Sequence, residues 1–222
     1  MVTVLSAKAI VELHDERTSA WHLPEESAPR GGATVKLSDD PAELDAAAEW
    51  LTMAIYLVEP QHRANFDLWH IEDEARRPGA TDAELAAVKR RIDATNQERN
   101  DLVEEIDRML LKWLAERGLP NEEAPLNSES PGLIIDRLSI LSLKIYHTHE
   151  EAERADAPAG HAERNRERLR ILQEQRADLA GCLDALWRET LDGKRRFKLY
   201  QQLKMYNDPS LNPAIYRQGS PK

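Results

Sequence analysis

The chain has 222 residues, of which 41% are hydrophobic and 32% are charged, and its formal net charge is −10. A chain of this length and composition can bury the core of one large domain, and its sparse glycine and few aromatic residues favour helices over a β-sandwich. The negative net charge argues against duplex nucleic acid as the general partner, because a protein neutralises phosphates with a basic face.

Cysteine content and the start of the chain indicate the compartment. Cys182 is the single cysteine, so an internal disulfide and a multi-cysteine zinc site are excluded, and we expect a reducing cytoplasm. The first residues turn acidic where a secretory signal would have its cleavage site, and no apolar run is long enough to span a bilayer. We therefore expect neither export nor a membrane span.

The first predicted helix extends over residues 6–22. Its inward stripe at helical spacing consists of Ile10, Leu13, Arg17 and Trp21. His14 lies beside this stripe and is predicted to face inward, where a histidine is more often a core residue than a catalyst. Residues 23–40 contain prolines and glycines without periodicity, which predicts an exposed loop.

A second helix is predicted to begin near Pro41 and to present a plain packing stripe. Pro60 is expected to break or kink the path before a third helix over residues 61–77. On this third helix the residues that share one face or its neighbour are Asn65, Phe66, Trp69, His70, Glu72 and Asp73. A histidine three residues before a carboxylate can bind a metal or form an acid–base pair, although that spacing is common and not specific.

The fourth helix opens with a capping box at Thr81 and should end near Arg117, with Gly118 as its stop. Its inward stripe is apolar except for Asn96 and Arg99, which occupy positions where a structural helix would have leucine. Asn96 alone could fix helix register, but together with Arg99 it favours the wall of a pocket.

Residues 126–147 form the segment around which we expect the fold to be built. The polar turn places a hydroxyl at an N-cap and Pro131 at the first helical position, which predicts a helix start there. The helix is apolar on most of its circumference but carries Asp136, Arg137 and Lys144. Because buried charges must be paired, they indicate either an internal ion-pair network or the polar wall of a pocket. We favour the pocket, since the turn adds free donors at a helix N-terminus.

The last long helix is predicted over residues 161–191, with Gly193 as its stop. Residues 193–222 form a basic segment with seven lysines or arginines and a single aspartate. Such a segment either packs on the acidic body or brings cations to a phosphorylated ligand. The residues with the spacing of a further short helix are Phe197, Tyr200, Leu203 and Lys204.

Three segments resemble, in the same order, those of the bacterial domain-of-unknown-function family DUF4254. They are NFDLWHIEDEARR, LNSESPGLIIDRLSILSLKIYH and FKLYQQLKMYNDPSLNP, and the resemblance covers about residues 5–216. Family members are helical proteins often found beside heptosyltransferases and other sugar genes, which implies nucleotide-sugar or glycan chemistry by association. The motif positions are Asn65, Asp67, His70, Asp73, Asn127, Ser128, Glu129, Asp136, Arg137, Lys144, His147, Lys204, Tyr206, Asn207 and Asp208.

We predict an all-α bundle of five or six helices in one domain. Residues 1–192 would form an acidic body, and the basic segment 193–222 would pack over a pocket with polar walls from residues 61–77, 81–117 and 131–147. Ligand sites in helical bundles form between facing helices.

The first functional hypothesis is a glycosyltransferase-type enzyme that acts on a nucleotide-diphosphate sugar, with an ADP-linked heptose as the first donor to test. Its diphosphate would be held by Arg99, Arg137, Lys144 and Lys204, and the base would be His14, His70 or Asp73. The other predicted substrate-binding residues are Asn65, Asn96, Asn127, Ser128, Glu129, Asp136, His147, Tyr206 and Asn207. We expect this reaction to need no cofactor. The sequence is compatible with a homo-oligomer.

Two alternatives belong to other classes. A metal-dependent nucleotide phosphohydrolase would gather a divalent ion with His14, Asp15, His70, Glu72, Asp73 and Asp136. A non-catalytic partner of a sugar-pathway enzyme would use the same motifs as an interface, although an exposed apolar groove would suit that role better than charged side chains.

Overall fold

The computed structural model describes residues 5–24, 53–203, 210, 211 and 213. In this part of the chain the structure is all-α, with five α-helices and no strand. The helices are α1 (Ala7–Trp21), α2 (Glu59–Glu74), α3 (Asp82–Ala115), α4 (Pro131–Glu153) and α5 (His161–Leu191). The predicted all-α, single-domain bundle is confirmed.

Three helices begin where their capping side chains specify. Ser6 and Ser130 each accept the backbone N–H of the third residue after them, at 3.4 Å. Thr81 and Glu84 form the predicted capping box, in which each side chain accepts the other residue's backbone N–H. These contacts satisfy N–H groups that a helix start leaves without an intrahelical partner, so the predicted starts of α1, α3 and α4 are confirmed.

Pro60 does not break the helical path, which corrects our expectation. It lies in the first turn of α2, where its missing N–H costs no intrahelical bond. A π-helical segment, Ala54–Val58, precedes it and leads into α2 through a hydrogen bond from the Glu59 N–H to the Ala54 carbonyl. The wider π turn therefore carries the chain into α2 without a loop.

Two helices end slightly earlier than the sequence predicted. α2 ends at Glu74, because Pro78 disfavours helical backbone at the residue before it. α3 ends at Ala115, and Gly118 follows in the left-handed region with φ +71°. A glycine in this conformation just after a helix is the usual stop that the sequence indicated.

α4 is the central helix of the bundle. It packs along α5 and also contacts α1, α2 and α3. Ile135 and Leu138 of α4 are fully buried in one core with Leu110 of α3 and Leu183 of α5. The central position expected for residues 131–147 agrees with this packing.

In the segment after α5, the structure has no helix at residues 197–203, so the predicted short helix is wrong for Phe197, Tyr200 and Leu203, the part of it that lies in the described residues. The Phe197 ring is buried in the core. Arg196 exchanges backbone hydrogen bonds with Pro125 and Asn127, at 3.1 and 2.7 Å. The buried ring and this pairing hold the segment against the loop before α4, which helical spacing alone could not reveal.

Several predictions fall outside the described residues. They concern the loop beyond Pro24, most of the helix before Pro60, and the side chains of Lys204, Tyr206, Asn207 and Asp208. None of the helices in the described part of the chain combines the length and the apolar character needed to cross a membrane.

Candidate functional site

Two histidines lie stacked in the interior between α1 and α2. His14 is fully buried, and its ring lies 4.4 Å from that of His62. The two ring nitrogens of His62 lie 2.9 Å from the Thr18 hydroxyl and 2.7 Å from the Ser139 hydroxyl. Neither ring nitrogen of His14 has a hydrogen-bond partner among the described residues.

Burial keeps both interior histidines neutral. It lowers the pKa of His62 to about 3. The pKa of His14 is lowered well below its usual value by burial first, and then by His62 and Arg176. A side chain that is fully enclosed cannot reach a substrate hydroxyl at an open site, so the geometry does not suit the predicted role of His14 as a base.

Asp136 of α4 is the central acceptor of a polar network between α2, α3 and α4. Its Oδ1 accepts hydrogen bonds from Gln61 at 2.6 Å and from Asn65 at 2.9 Å, and Arg99 Nε lies 3.7 Å away. Asn65 also donates to Ser139 Oγ at 2.9 Å, which joins this network to the interior histidines. Paired buried polar groups of this kind fix how helices face one another.

A cleft of about 260 Å³ opens beside the network, and we call it the Arg99 cleft. Four of its lining residues are predicted site residues, namely Asn65, Asp73, Asn96 and Arg99. The rest of the lining consists of Leu68, Trp69, Glu72, Ile140 and Leu143. The Arg99 side chain is 24% exposed and Asp73 is exposed, so the cleft offers both a guanidinium and a carboxylate to solvent.

A second cleft, of about 680 Å³, lies between α4 and α5, and we call it the Lys144 cleft. It is lined by Glu129, Arg137, Ile140, Leu141, Lys144, Gln175, Asp178, Leu179 and Cys182. Ile140 lines both clefts, so the two adjoin across one side chain. Arg137 and Lys144 are exposed here. This corrects the expectation that they are buried, because the neighbouring helices leave this face of α4 open.

The two cations of the Lys144 cleft differ in their partners. Arg137 donates to both carboxylate oxygens of Glu129, at 2.8 and 2.7 Å. An exposed pair of this kind contributes about 0–1 kcal/mol to stability, so a competing anion can replace it. Lys144 has no ion pair within the described residues.

The turn before α4 does not offer free donors, which corrects that part of the sequence interpretation. Asp107 of α3 accepts the Gly132 N–H at 2.7 Å and also the Ser130 hydroxyl. The Asn127 side chain donates to the Glu129 carbonyl at 2.8 Å. Burial raises the pKa of the Asp107 carboxyl to about 6, although the hydrogen bonds from Ser130 and Gly132 act in the opposite direction. The turn is therefore satisfied from within the protein.

Three histidines from α1, α2 and α4 converge at a partly buried point, and we call them the histidine triad: His22, His70 and His147. One ring nitrogen of each lies within 4.8 Å of the other two. The Trp69 ring stacks on His147 with 4.7 Å between centroids, and Tyr146 stacks on His22 at 4.4 Å. In the part of the chain that the structure describes, only this group brings three potential metal ligands together.

The structure separates the three predicted catalytic residues. His14 lies in the interior, His70 belongs to the histidine triad, and Asp73 lies on the Arg99 cleft. The ligand set of the hydrolase hypothesis is likewise not gathered, because Asp136 is bound by amide side chains and His14 is enclosed. Ser128 is exposed in the turn before α4.

Sequence reasoning missed three residues that organise these sites: His22, His62 and Asp107. His62 could have been found, because it lies three residues before Asn65 and so shares its helical face. His22 follows the last turn of α1, and its partners come from distant helices. Asp107 looks like an ordinary charge on an amphipathic helix, and no local pattern distinguishes it.

A family model described as "Protein of unknown function (DUF4254)" matches residues 55–199. The matched region contains α2 to α5, and therefore both clefts and two members of the histidine triad. Comparisons with curated proteins and with solved structures found no match.

Proposed function

The chain belongs to the DUF4254 family, whose model matches more than half of it, and we propose that it is a cytoplasmic glycosyltransferase-type enzyme. The donor would be a nucleotide-diphosphate sugar, and the acceptor a small molecule or glycan. An ADP-linked heptose is the donor to test first, because the family is associated with sugar genes.

One observation carries the proposal: three predicted diphosphate-binding cations lie on two adjoining clefts. Arg99 lines one cleft, Arg137 and Lys144 line the other, and Ile140 is common to both. Diphosphates are bound through cations that donate charge-assisted hydrogen bonds. The chain has 30 lysines and arginines, so the position of these three on adjoining clefts is what supports the proposal, not their number.

In the transfer step, these cations would stabilise the negative charge that develops on the leaving diphosphate. The acceptor hydroxyl oxygen bonds to the anomeric carbon of the sugar, while the bond from that carbon to the diphosphate oxygen breaks. The hydroxyl proton passes to a base, and the nucleoside diphosphate leaves with the bonding electron pair. Cations beside the leaving oxygen accelerate this step, because its negative charge grows in the transition state.

Asp73 is the base that we propose. It is exposed and lines the same cleft as Arg99, so an acceptor hydroxyl can approach both. His14 is enclosed, and His70 is engaged in the histidine triad. Of the three residues considered from the sequence, Asp73 alone combines exposure with a place on a cleft that holds a cation.

We also propose that the basic C-terminal segment covers the bound donor. Its start is attached to the acidic body, since Arg195 pairs with Glu189 at 3.0 Å and Arg196 pairs with Glu122 at 2.8 Å. Farther along, the Gln202 N–H donates to Glu104 of α3 at 2.8 Å. Glu104 lies five residues after Arg99 on α3, which brings the segment to the helix that carries the cleft.

Calorimetry with ADP, UDP and an ADP-linked heptose tests the binding step. We expect Arg99→Met and Lys144→Met each to weaken binding by about tenfold or more, because each removes a cation from the diphosphate. Arg108→Met is the matched control, since Arg108 is an exposed arginine of α3 that forms a local ion pair with Glu105. Absence of binding to the wild-type protein at millimolar ligand would leave the non-catalytic partner as the better account.

A metal-dependent phosphohydrolase is the second candidate, and one observation favours it. Glu72 and Asp73 line the Arg99 cleft side by side, and carboxylates are the ligands that Mg²⁺ and Mn²⁺ prefer. Product analysis separates the two reactions. A transferase forms a glycoside only when an acceptor is added, with or without EDTA, whereas a hydrolase releases phosphate without an acceptor and stops when EDTA is added.

A further inference from the structure

Two members of the histidine triad are oriented by carbonyl oxygens of their own helices. Nδ1 of His22 lies 2.7 Å from the Thr18 carbonyl oxygen, and Nδ1 of His70 lies 2.9 Å from the Phe66 carbonyl oxygen. A carbonyl oxygen only accepts hydrogen bonds, so Nδ1 carries the proton and donates in both rings. In the neutral imidazole, Nε2 then holds a lone pair.

The third member, His147, is oriented by a carboxylate. Its Nδ1 lies 2.9 Å from Oε2 of Glu150, so this nitrogen also donates and its Nε2 also holds a lone pair. A histidine that donates one N–H to an oxygen and presents its other nitrogen is in the state in which metal ligands are found.

Two of these lone pairs are buried without a partner. Nε2 of His22 and Nε2 of His147 have no hydrogen-bond partner among the described residues. Leaving a buried polar atom without a hydrogen-bond partner destabilises the folded protein. A cation bound between the rings would satisfy both nitrogens at once.

The spacing of the three rings suits a small metal ion after a slight closure. Their ligand nitrogens lie within 4.8 Å of one another. Around a tetrahedral Zn²⁺ with Zn–N distances of about 2.0–2.1 Å, ligand nitrogens lie about 3.3 Å apart. Each nitrogen therefore has to move inward by about 0.9 Å from the widest arrangement, which small side-chain rotations provide.

We propose that His22, His70 and His147 form a binding site for one divalent transition metal ion, with Zn²⁺ as the representative ion. Ligation by nitrogen alone favours such metals over Mg²⁺ and Ca²⁺, which prefer oxygen. Three protein ligands leave a fourth position for water or a substrate atom. None of the cations assigned to the diphosphate belongs to this site, so the proposal does not depend on the transferase reaction.

Metal titration of the full-length, tag-free protein tests the site. After EDTA treatment and dialysis, Zn²⁺ is titrated in competition with a chromophoric chelator, and Co²⁺ binding is followed by its visible absorption. We expect one ion per chain, and an affinity at least about 100-fold lower in His22→Gln and His147→Gln, because each variant loses a ligand. His149→Gln is the matched control, since His149 is an exposed histidine of α4 that lies 3.5 Å from Glu153. Cys182→Ser should also bind normally, which excludes the exposed thiol as the ligand.

Glu150→Gln provides a test that does not disturb the core, because the Glu150 side chain is 52% exposed. Loss of the carboxylate behind His147 should weaken Zn²⁺ binding by about 10–100-fold while the circular dichroism spectrum stays unchanged. The proposal is overturned if the wild-type protein binds neither Zn²⁺ nor Co²⁺. It is also overturned if binding is the same in wild type, His147→Gln and Glu150→Gln.

Discussion

Asp107 of α3 and Gly132 of α4 are joined by a 2.7 Å hydrogen bond from the glycine N–H to the carboxylate. The two helices are also in close backbone approach here, because a Cβ atom on Gly132 would lie 2.6 Å from the Val103 carbonyl oxygen. One carboxylate therefore caps the central helix from outside it, at the position where only glycine lets the helices approach this closely.

Replacing Asp107 with alanine should destabilise the fold by about 2–5 kcal/mol. The Gly132 N–H and the Ser130 hydroxyl would both lose their acceptor, and each unsatisfied buried group costs about 1–3 kcal/mol. Urea unfolding measures the change. Asp101→Ala is the control, because Asp101 is exposed on the same helix and, among the described residues, accepts a hydrogen bond only from Gln97. Equal stability of the two variants would contradict the capping role.

The pH dependence of stability should report the same carboxyl. Its pKa is about 6 in the folded protein against an ordinary value of 3.8, so the folded state binds the proton more tightly. The stability that this proton contributes is fully present below pH 3.8 and is lost as pH rises through about 6. Asp107→Asn cannot titrate. The free energy of unfolding is measured for both proteins across this pH range, and the value for Asp107→Asn is subtracted from that for wild type. We expect this difference to fall by roughly 3 kcal/mol as pH rises. A difference that is independent of pH would contradict the raised pKa.

Gly132→Ala should destabilise the protein by about 1–3 kcal/mol, because the added methyl group forces two helix backbones apart. Gly181→Ala is the matched control. Gly181 lies inside α5, and an added Cβ would meet no atom within 4 Å. Removing a helix-interior glycine from this open position should raise stability by about 0.5–1 kcal/mol. Thermal unfolding of the two variants should therefore shift the melting temperature in opposite directions. Shifts in the same direction would show that the close approach of α3 and α4 does not restrict the residue at position 132.

His14→Leu should keep or raise stability at neutral pH, because neither His14 nitrogen has a hydrogen-bond partner among the described residues. The lowered pKa of His14 means that the folded state resists protonation. The stability that comes from keeping His14 neutral is present above pH 6.5, the ordinary pKa of histidine, and is lost as pH falls below that value. The variant should therefore lose less stability than wild type on acidification. A loss of several kcal/mol at pH 7 would instead indicate that His14 is essential for packing.

Helix positions followed from the sequence because their determinants are local. Ser6, Thr81 and Ser130 cap helices through contacts with residues three positions away. The grouping of Asp136 with Ser139 on one face follows from helical periodicity in the same way. Such contacts need no knowledge of where the other helices lie.

The arrangement of the candidate sites depended on contacts that periodicity does not encode. Arg137 and Lys144 were expected to be buried but are exposed. How much of the α4 surface is covered depends on how the neighbouring helices pack around it, which the sequence of α4 alone does not give. His22 meets partners 48 and 125 positions away, which only the tertiary fold brings together. Asp107 caps a helix that begins 24 residues after it. These pairings became visible only with the packing of the helices.

Trp69 contacts both candidate sites, since its ring stacks on His147 of the histidine triad and also lines the Arg99 cleft. A molecule that turns the indole on entering the cleft must also disturb the stack, and a change that orders the imidazole must restrict the indole. If binding at one place alters affinity at the other, thermodynamic reciprocity requires the reverse effect to have the same factor. Trp69 is thus the side chain through which an event in the cleft would reach the histidines.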